Sequence, residues 1–275
     1  MGGGAIAAPQ LDLAAVKSRQ RQTWATGDFH VISAGINWIA ECLCESADLV
    51  AGWRVLDVAC GSGNLALAAA RRGCEAAGVD YVPTLVARGR MRAAAEGLPV
   101  DLVEGDAEEL PFPDASFDAV LSVCGVMFCP DQERAASELV RVCRPGGRIA
   151  LANWPAHGWV GDTFRVLSTH VAPPPGLASP FDWATPAVER LLGDGVRSVE
   201  LRERTIVFRL RSAEDYLEQF RRWFGPVRMA FETVGPAGQE ALARDLTDLV
   251  RAHARPHGDA IAIEAPYVEV IAERA

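Results

Sequence analysis

The sequence predicts an α/β fold: a doubly wound, mostly parallel sheet, preceded by helices and completed by a helical insertion before its last strand. Three observations carry this reading. Short apolar runs alternate with helix-patterned segments through residues 53–153, as parallel βαβ units require when helices cover both faces of a sheet. A Gly-x-Gly turn follows the first of these runs in "VLDVACGSGNLAL", residues 55–67. Three acids, Asp57, Asp80 and Asp106, fall at or beside the ends of successive runs. The fold would set them along one sheet edge, the edge at which such sheets bind ligands.

The elements follow in order. Residues 11–50 read as helical, broken once at Gly27-Asp28, and the "MGGGAIAAPQ" before them reads as a disordered lead-in. "RVLDVA" is a short apolar strand, "NLALAAARRG" a helix closed by Gly73, and "CEAAGVD" a second strand ending on Asp80. "VPTLVARGRMRAAAEG" is a helix with Pro83 in its first turn and Gly97 past its end, the usual asymmetry of helix termini. "VDLVEGD" is a third strand, "FDAVLSVCGVMF" a fourth, "DQERAASELVRVC" a helix, "RPGG" a turn and "RIALANW" a fifth strand. Beyond residue 154 the pattern loosens. "VRSVELRERTIVFRL" alternates like a strand, 212–234 and 235–256 read as two helices, and "YVEVIAERA" reads as a closing edge strand. Ser212 and Asp215 open the first of those helices with a capping-box pattern.

Composition narrows the function classes. A formal net charge of -9 argues against broad binding to nucleic acid or anionic membranes, both of which need clustered positive charge. Nearly all basic residues are Arg, and Lys17 is the sole lysine. No run approaches the length of a membrane span, and the N-terminus lacks the basic and apolar regions of a signal peptide. The seven cysteines are scattered without a C-x-x-C pair, so free thiols in a reducing cytoplasm fit better than disulfides or a metal site.

Gly61-x-Gly63-x-x-Ala66 also fits a permissive dinucleotide fingerprint. In such a site the loop and the helix N-terminus meet a phosphate. Asp57, four residues before the first glycine, places a carboxylate where it would repel a phosphate and attract an ammonium group. "LDVACGSG" resembles the D/E-x-x-x-G-x-G cofactor loop of class I S-adenosylmethionine-dependent methyltransferases. "GDAEELPFPDASFDAVLS" (105–122) and "RPGGRIAL" (144–151) resemble the corresponding segments of the ubiquinone/menaquinone branch of that family, and "TWATGDFHVI" its N-terminal cap.

The resemblance implies a Rossmann-like fold and S-adenosylmethionine as cofactor. It implies that Asp57 holds the methionine ammonium and that Ala59, Gly61, Ser62 and Gly63 lie against the methionine and ribose. Asp80 would accept the ribose hydroxyls, Tyr81 would pack beside the adenine, and Asp106 with Ala107 would read its edge. Cys124 would pass the sulfonium end. Residues 1–50 then form the lead-in and cap, 51–153 the cofactor-binding core, and 154–275 the acceptor-binding helices and closing strands of one structural domain.

The acceptor is expected to be a small apolar or aromatic molecule methylated on O, N or C, in quinone or specialised metabolism. Trp24, Phe29, Trp154, Trp159, Trp183, Trp223 and Phe224 are the side chains expected around it. If a general base is used, His157 is the first candidate, followed by His170 and His30. Arg221-Arg222 reads as a solvated helix face. A homodimer is left open. Two other readings stand beside this one: a nicotinamide-dependent reductase, which Asp57 disfavours, and a protein that keeps the pocket as a regulatory module.

Overall fold

The computed structural model describes residues 11–275; the lead-in read over the first ten lies outside the described residues. Eight strands among the described residues form one sheet: β1 (Arg54–Val58), β2 (Glu75–Asp80), β3 (Val100–Glu104), β4 (Phe117–Val123), β5 (Cys143–Asn153), β6 (Val196–Leu210), β7 (Ala254–His257) and β8 (Ala260–Arg274). Their order is β3-β2-β1-β4-β5-β8-β6, with β7 paired to β8. The first five run parallel and β8 is antiparallel to its neighbours.

The chain winds outward from β1 in both directions, to β2 and β3 on one side and to β4 and β5 on the other. The crevice at such a reversal opens at the strands' carboxyl ends. Helices α4 (Asn64–Arg71), α5 (Pro83–Glu96) and α6 (Gln132–Val142) make the crossovers. Leu56, Val120, Leu121, Ala150 and Leu151 are wholly buried between layers. Burying each large apolar side chain contributes about 1.5–3 kcal/mol, so the near-continuous apolar runs find their lowest energy as interior strands.

The first fifty residues form α1 (Leu13–Ala25), α2 (Phe29–Ser33) and α3 (Asn37–Ser46). Asp12 and Asp28 cap the first two through bonds from Ala15 N (3.0 Å) and His30 N (3.2 Å). The C-terminal half supplies α7 (Gly158–His170), α8 (Ala187–Leu192), α9 (Ala213–Trp223), α10 (Gly225–Thr233) and α11 (Pro236–His253).

Several expectations are corrected. The closing strand is not an edge: β8 lies between β5 and β6, and β6 holds that side of the sheet. Its residues Val268, Val270 and Ala272 are buried, which an edge position would leave half exposed. The turn expected at "RPGG" is an irregularity within β5, where the register against β4 shifts between Phe117 and Ala119 and Gly146 takes φ +70°. Residues 126–128 leave the fourth strand for a 3-10 turn. The helix expected over 212–234 breaks at Phe224, whose extended backbone (φ -93°, ψ 106°) caps both α9 and α10. The capping of α9 holds as read, with Ser212 Oγ accepting from Asp215 N at 3.1 Å.

β6 and β8 outrun the parallel strands. β5 pairs only with residues 268–273 of β8, whereas β6 continues to pair down to Ile261 and β7 joins there. The result is a ribbon projecting past the carboxyl edge of the sheet, and it carries Phe208.

The N-terminal helices meet the C-terminal ones at a seam of glycines. A methyl group on Gly27 (φ +84°) would lie 2.6 Å from Trp223 O, and one on Gly225 would lie 2.0 Å from Thr23 O. Asp28 N donates to Trp223 O across the same seam at 3.2 Å. Overpacking at so tight an approach costs about 1–3 kcal/mol. Gly225→Ala is expected to lower stability by about that amount in urea unfolding and to speed proteolysis in the 25–28 turn; unchanged behaviour in both would show the seam to be loose.

Candidate active site

The site is built on the turn after β1. Ala59 (φ +53°), Gly61 (φ +53°) and Gly63 (φ +78°) all take the left-handed conformation, which turns the chain sharply from strand into α4. Gly125, just past β4, approaches so closely that a methyl there would sit 2.6 Å from Ala59 O. Ser122 Oγ donates to Val58 O at 2.7 Å and ties the two turns together. Cys124, between them, is also left-handed (φ +51°).

Two buried carboxylates hold this loop from below. Asp80 accepts Gly61 N on one oxygen and Val82 N on the other, each at 2.8 Å. Burial pushes its pKa up to about 6 against the pull of those two bonds. Asp57 accepts Ala66 N at 3.0 Å, in the first turn of α4. Burial pushes it up to about 8, opposed by that backbone bond and aided by the nearby charge of Asp80. Each oxygen that takes one backbone N–H keeps a lone pair for a further donor. A cation or a pair of hydroxyls placed above them would complete this set.

Asp57, Ala59, Cys60, Gly61, Ser62, Asp80, Tyr81, Asp106, Ala107 and Cys124 all line one cleft. The residues assigned to the cofactor from the sequence are therefore brought together, with Gly63 capping α4 directly behind them. Asp106 differs from the other acids: Glu108 N donates to one oxygen at 2.9 Å, and Lys17 Nζ donates to the other at 2.6 Å. Lys17 also pairs with Glu108. The sole lysine, given no weight in the sequence, thus pins α1 over the cleft, assisted by Arg21–Glu104 at 2.5 Å. Its one signal was isolation in a chain otherwise using Arg.

A second, smaller pocket adjoins the first, sharing Trp24, Phe29, Ile36, Cys124 and Phe128. Beyond that boundary Trp154, Trp159, Phe164, Phe208, Phe220 and Phe224 enclose it, and no charged side chain lines it. The rings pack edge to face, as with Trp24 and Phe29 at 5.2 Å and Trp159 and Phe208 at 4.7 Å. Phe128, Phe208 and Phe220 were missed because they lie on three different elements whose convergence the sequence does not announce.

Two expected pocket residues lie elsewhere. Trp183 is wholly buried in a 3-10 turn packed on β5 and β8, where its carbonyl accepts from Asn153 Nδ2 at 3.1 Å. Trp223 turns away from the cavity, with the Arg222 guanidinium 4.5 Å above its ring. The histidines are corrected likewise. His157 is exposed and pairs with Glu203 at 3.0 Å, and His170 pairs with Asp245 at 2.8 Å; neither lines the cleft or the cavity. His30 sits behind the loop with Nδ1 3.0 Å from Ser62 Oγ. Burial, helped by Arg92, holds it below the usual histidine range, and it too faces neither space. All seven cysteines are unpaired, and no metal-binding cluster of side chains occurs among the described residues.

Comparison with known proteins agrees with this geometry. A family model described as a methyltransferase domain matches residues 56–151. An uncharacterized protein of Mycobacterium tuberculosis is 36% identical over 237 residues, covering 84% of this chain and 85% of that protein. The demethylmenaquinone methyltransferase of Thermus thermophilus is 43% identical over 124 residues, 44% of this chain and 56% of that enzyme. Among solved structures, the YcgJ protein of Bacillus subtilis superposes with a TM-score of 0.59 at 19% identity, over 86% of this chain and 97% of its own, a likeness of fold. The turn after β1, the strand-end acids and the matched core together place the chain in the class I S-adenosylmethionine-dependent methyltransferases.

Proposed function

We propose that this methyltransferase acts on a small, largely apolar acceptor held in the aromatic cavity, transferring the methyl group to an O, N or C nucleophile. The observation that supports it is the junction of the two spaces. An apolar chamber adjoins the cofactor cleft, and the residues common to both, Trp24, Phe29, Ile36, Cys124 and Phe128, carry no charge.

In this reading S-adenosylmethionine supplies an electrophilic methyl group on a sulfonium. Asp57 would hold the ammonium and Asp80 the ribose hydroxyls, and Asp106, which pairs with Lys17, would accept from the adenine amine. Cys124 borders the reacting end. The protein contributes positioning, worth up to about 7–11 kcal/mol when reacting atoms are held in line. The apolar walls add to this, because methyl transfer to an anion destroys charge and low polarity favours the neutral products. No histidine faces the acceptor, and burial holds the Cys124 thiol far above its ordinary pKa. The acceptor therefore reaches the cavity with its lone pair already free, its proton having gone to solvent. Free thiols throughout the chain suit a reducing compartment such as the cytoplasm.

Three outcomes test this. S-adenosylmethionine, but not NADPH, is expected to raise the melting temperature of the protein, and Asp80→Ala to abolish most of that rise; the reverse ligand preference would refute the cofactor assignment. The affinity should also depend on pH. Asp57 must be ionised to hold an ammonium, yet burial pushes its pKa in the free protein up to about 8. Binding should therefore tighten by up to roughly tenfold per unit between pH 6 and pH 7, with proton release visible by calorimetry in buffers of differing ionisation enthalpy. A flat profile would remove the ammonium from Asp57. Finally, labelled methyl transfer to a panel of phenols, quinols, amines and carboxylates should succeed in at least one class, with His157→Ala retaining at least half the rate. Its kcat/KM should follow the acceptor's own pKa. Incorporation into none of these classes would leave a binding module.

A further inference from the structure

Helix α2 and the 3-10 turn that follows it contribute to both spaces. Phe29, Ile32 and Ile36 line the aromatic cavity, and Phe29, Ser33 and Ile36 line the cofactor cleft. A helix of five residues has too few internal hydrogen bonds to stand alone, so its placement comes from outside it. One part of that support is independent of the cleft. Asp28 pairs with Arg88 of α5 at 2.7 Å, and its backbone N–H donates to Trp223 O at 3.2 Å.

The other part comes from the turn after β1. Asn64 Nδ2 donates to Ser33 O at 2.9 Å, and Ser62 Oγ lies 3.0 Å from His30 Nδ1. Arg92 of α5 holds the same two turn residues from the other side. Its Nη1 donates to Asn64 Oδ1 at 2.6 Å and to Ser62 O at 2.7 Å. The Asn64 amide thus spends its oxygen on α5 and its nitrogen on α2, and both ends fix its orientation. Burial, then Arg92, holds His30 below the usual histidine range, so a neutral ring meets the Ser62 hydroxyl beside that guanidinium. Ser62 lies between the left-handed Gly61 and Gly63, and Asn64 follows them directly. Any resetting of that turn therefore moves both side chains that reach α2.

We propose that His30 and Asn64 are positioning residues that couple the acceptor wall to the cofactor turn. A ligand that favours one arrangement of the turn then favours the matching arrangement of α2, and with it the places of Phe29, Ile32 and Ile36. Bound cofactor steadies the wall against which the acceptor packs, and a bound acceptor strengthens the hold on the cofactor by the same factor. This rests on reading the cleft as the cofactor site and the cavity as the acceptor site. It differs from a cap that simply touches the cofactor, because direct contact would need neither His30 nor Asn64.

Amide hydrogen exchange of the full chain, with and without S-adenosylhomocysteine, tests it. In wild type the ligand is expected to slow exchange in the turn at 59–66 and, by about fivefold or more, over 29–36. In Asn64→Ala and His30→Ala the turn should stay protected while the effect over 29–36 falls below about twofold. His30→Asn, which keeps a hydrogen-bonding atom near the place of Nδ1, should restore it. Protection of 29–36 that survives both alanine variants would show direct contact with the ligand and overturn the proposal. So would its absence from wild type, or a failure of His30→Asn to restore it. Should Asn64→Ala fail to fold, the two His30 variants carry the test. Protection of neither segment in wild type would remove the cofactor assignment and the proposal with it. A second arm uses N-phenyl-1-naphthylamine, an uncharged probe that fluoresces in apolar surroundings. Wild type is expected to bind it about fivefold more tightly with S-adenosylhomocysteine present, and Asn64→Ala equally well in both states. A probe that binds neither state while the exchange result holds would strike the acceptor reading and leave the coupling of α2 to the turn standing.

Discussion

Everything at the functional edge depends on two carboxylates kept out of water beneath one turn of the chain. Asp57 and Asp80 are buried under the turn after β1, and each is held above its ordinary pKa mainly by that burial. Backbone N–H groups from Gly61, Val82 and Ala66 offset part of the cost and in return fix the loop. Carboxylate oxygens that accept one such bond keep a lone pair, and a cationic, hydroxyl-bearing ligand is chemically matched to that remaining capacity.

The core of this arrangement was legible in the sequence because it follows from short-range patterns. The strands around β1 are buried on both faces and so read as continuous apolar runs, and the acids at their ends fall where the parallel winding must collect them. The C-terminal half was less legible for a physical reason. β8 closes as an interior antiparallel strand because its partner β6 lies some sixty residues earlier, and nothing local in "YVEVIAERA" announces a neighbour on its far side. The break at Phe224 likewise answers the close approach of Thr23 to Gly225, a contact between distant segments.

Aromatic residues show the same limit. Trp154, Trp159 and Phe224 reach the cavity, whereas Trp183 and Trp223 do not, although all five lie in the same aromatic-rich half of the chain. What separates them is tertiary packing: Phe224 lies among Trp24, Phe29 and Phe220, whereas the turn carrying Trp183 packs on β5 and β8 and the Trp223 ring lies under Arg222. Histidine was a poor guide for a related reason. His157, His170 and His253 each found an acid on a neighbouring element, Glu203, Asp245 and Asp162, and serve as surface ties.

Lys17 holds a position that the chain's composition makes unusual. Because every other basic side chain is arginine, histidine apart, the protein has a single ε-amine, and it lies between Asp106 and Glu108. Amine-reactive chemistry, which on most proteins scatters over many lysines, has here one side-chain address, part-exposed at the rim of the cleft. Burial lowers the pKa of that amine, but the same ion pairs that fasten α1 beside the cleft outweigh it and raise the pKa, and so make the amine a poorer nucleophile.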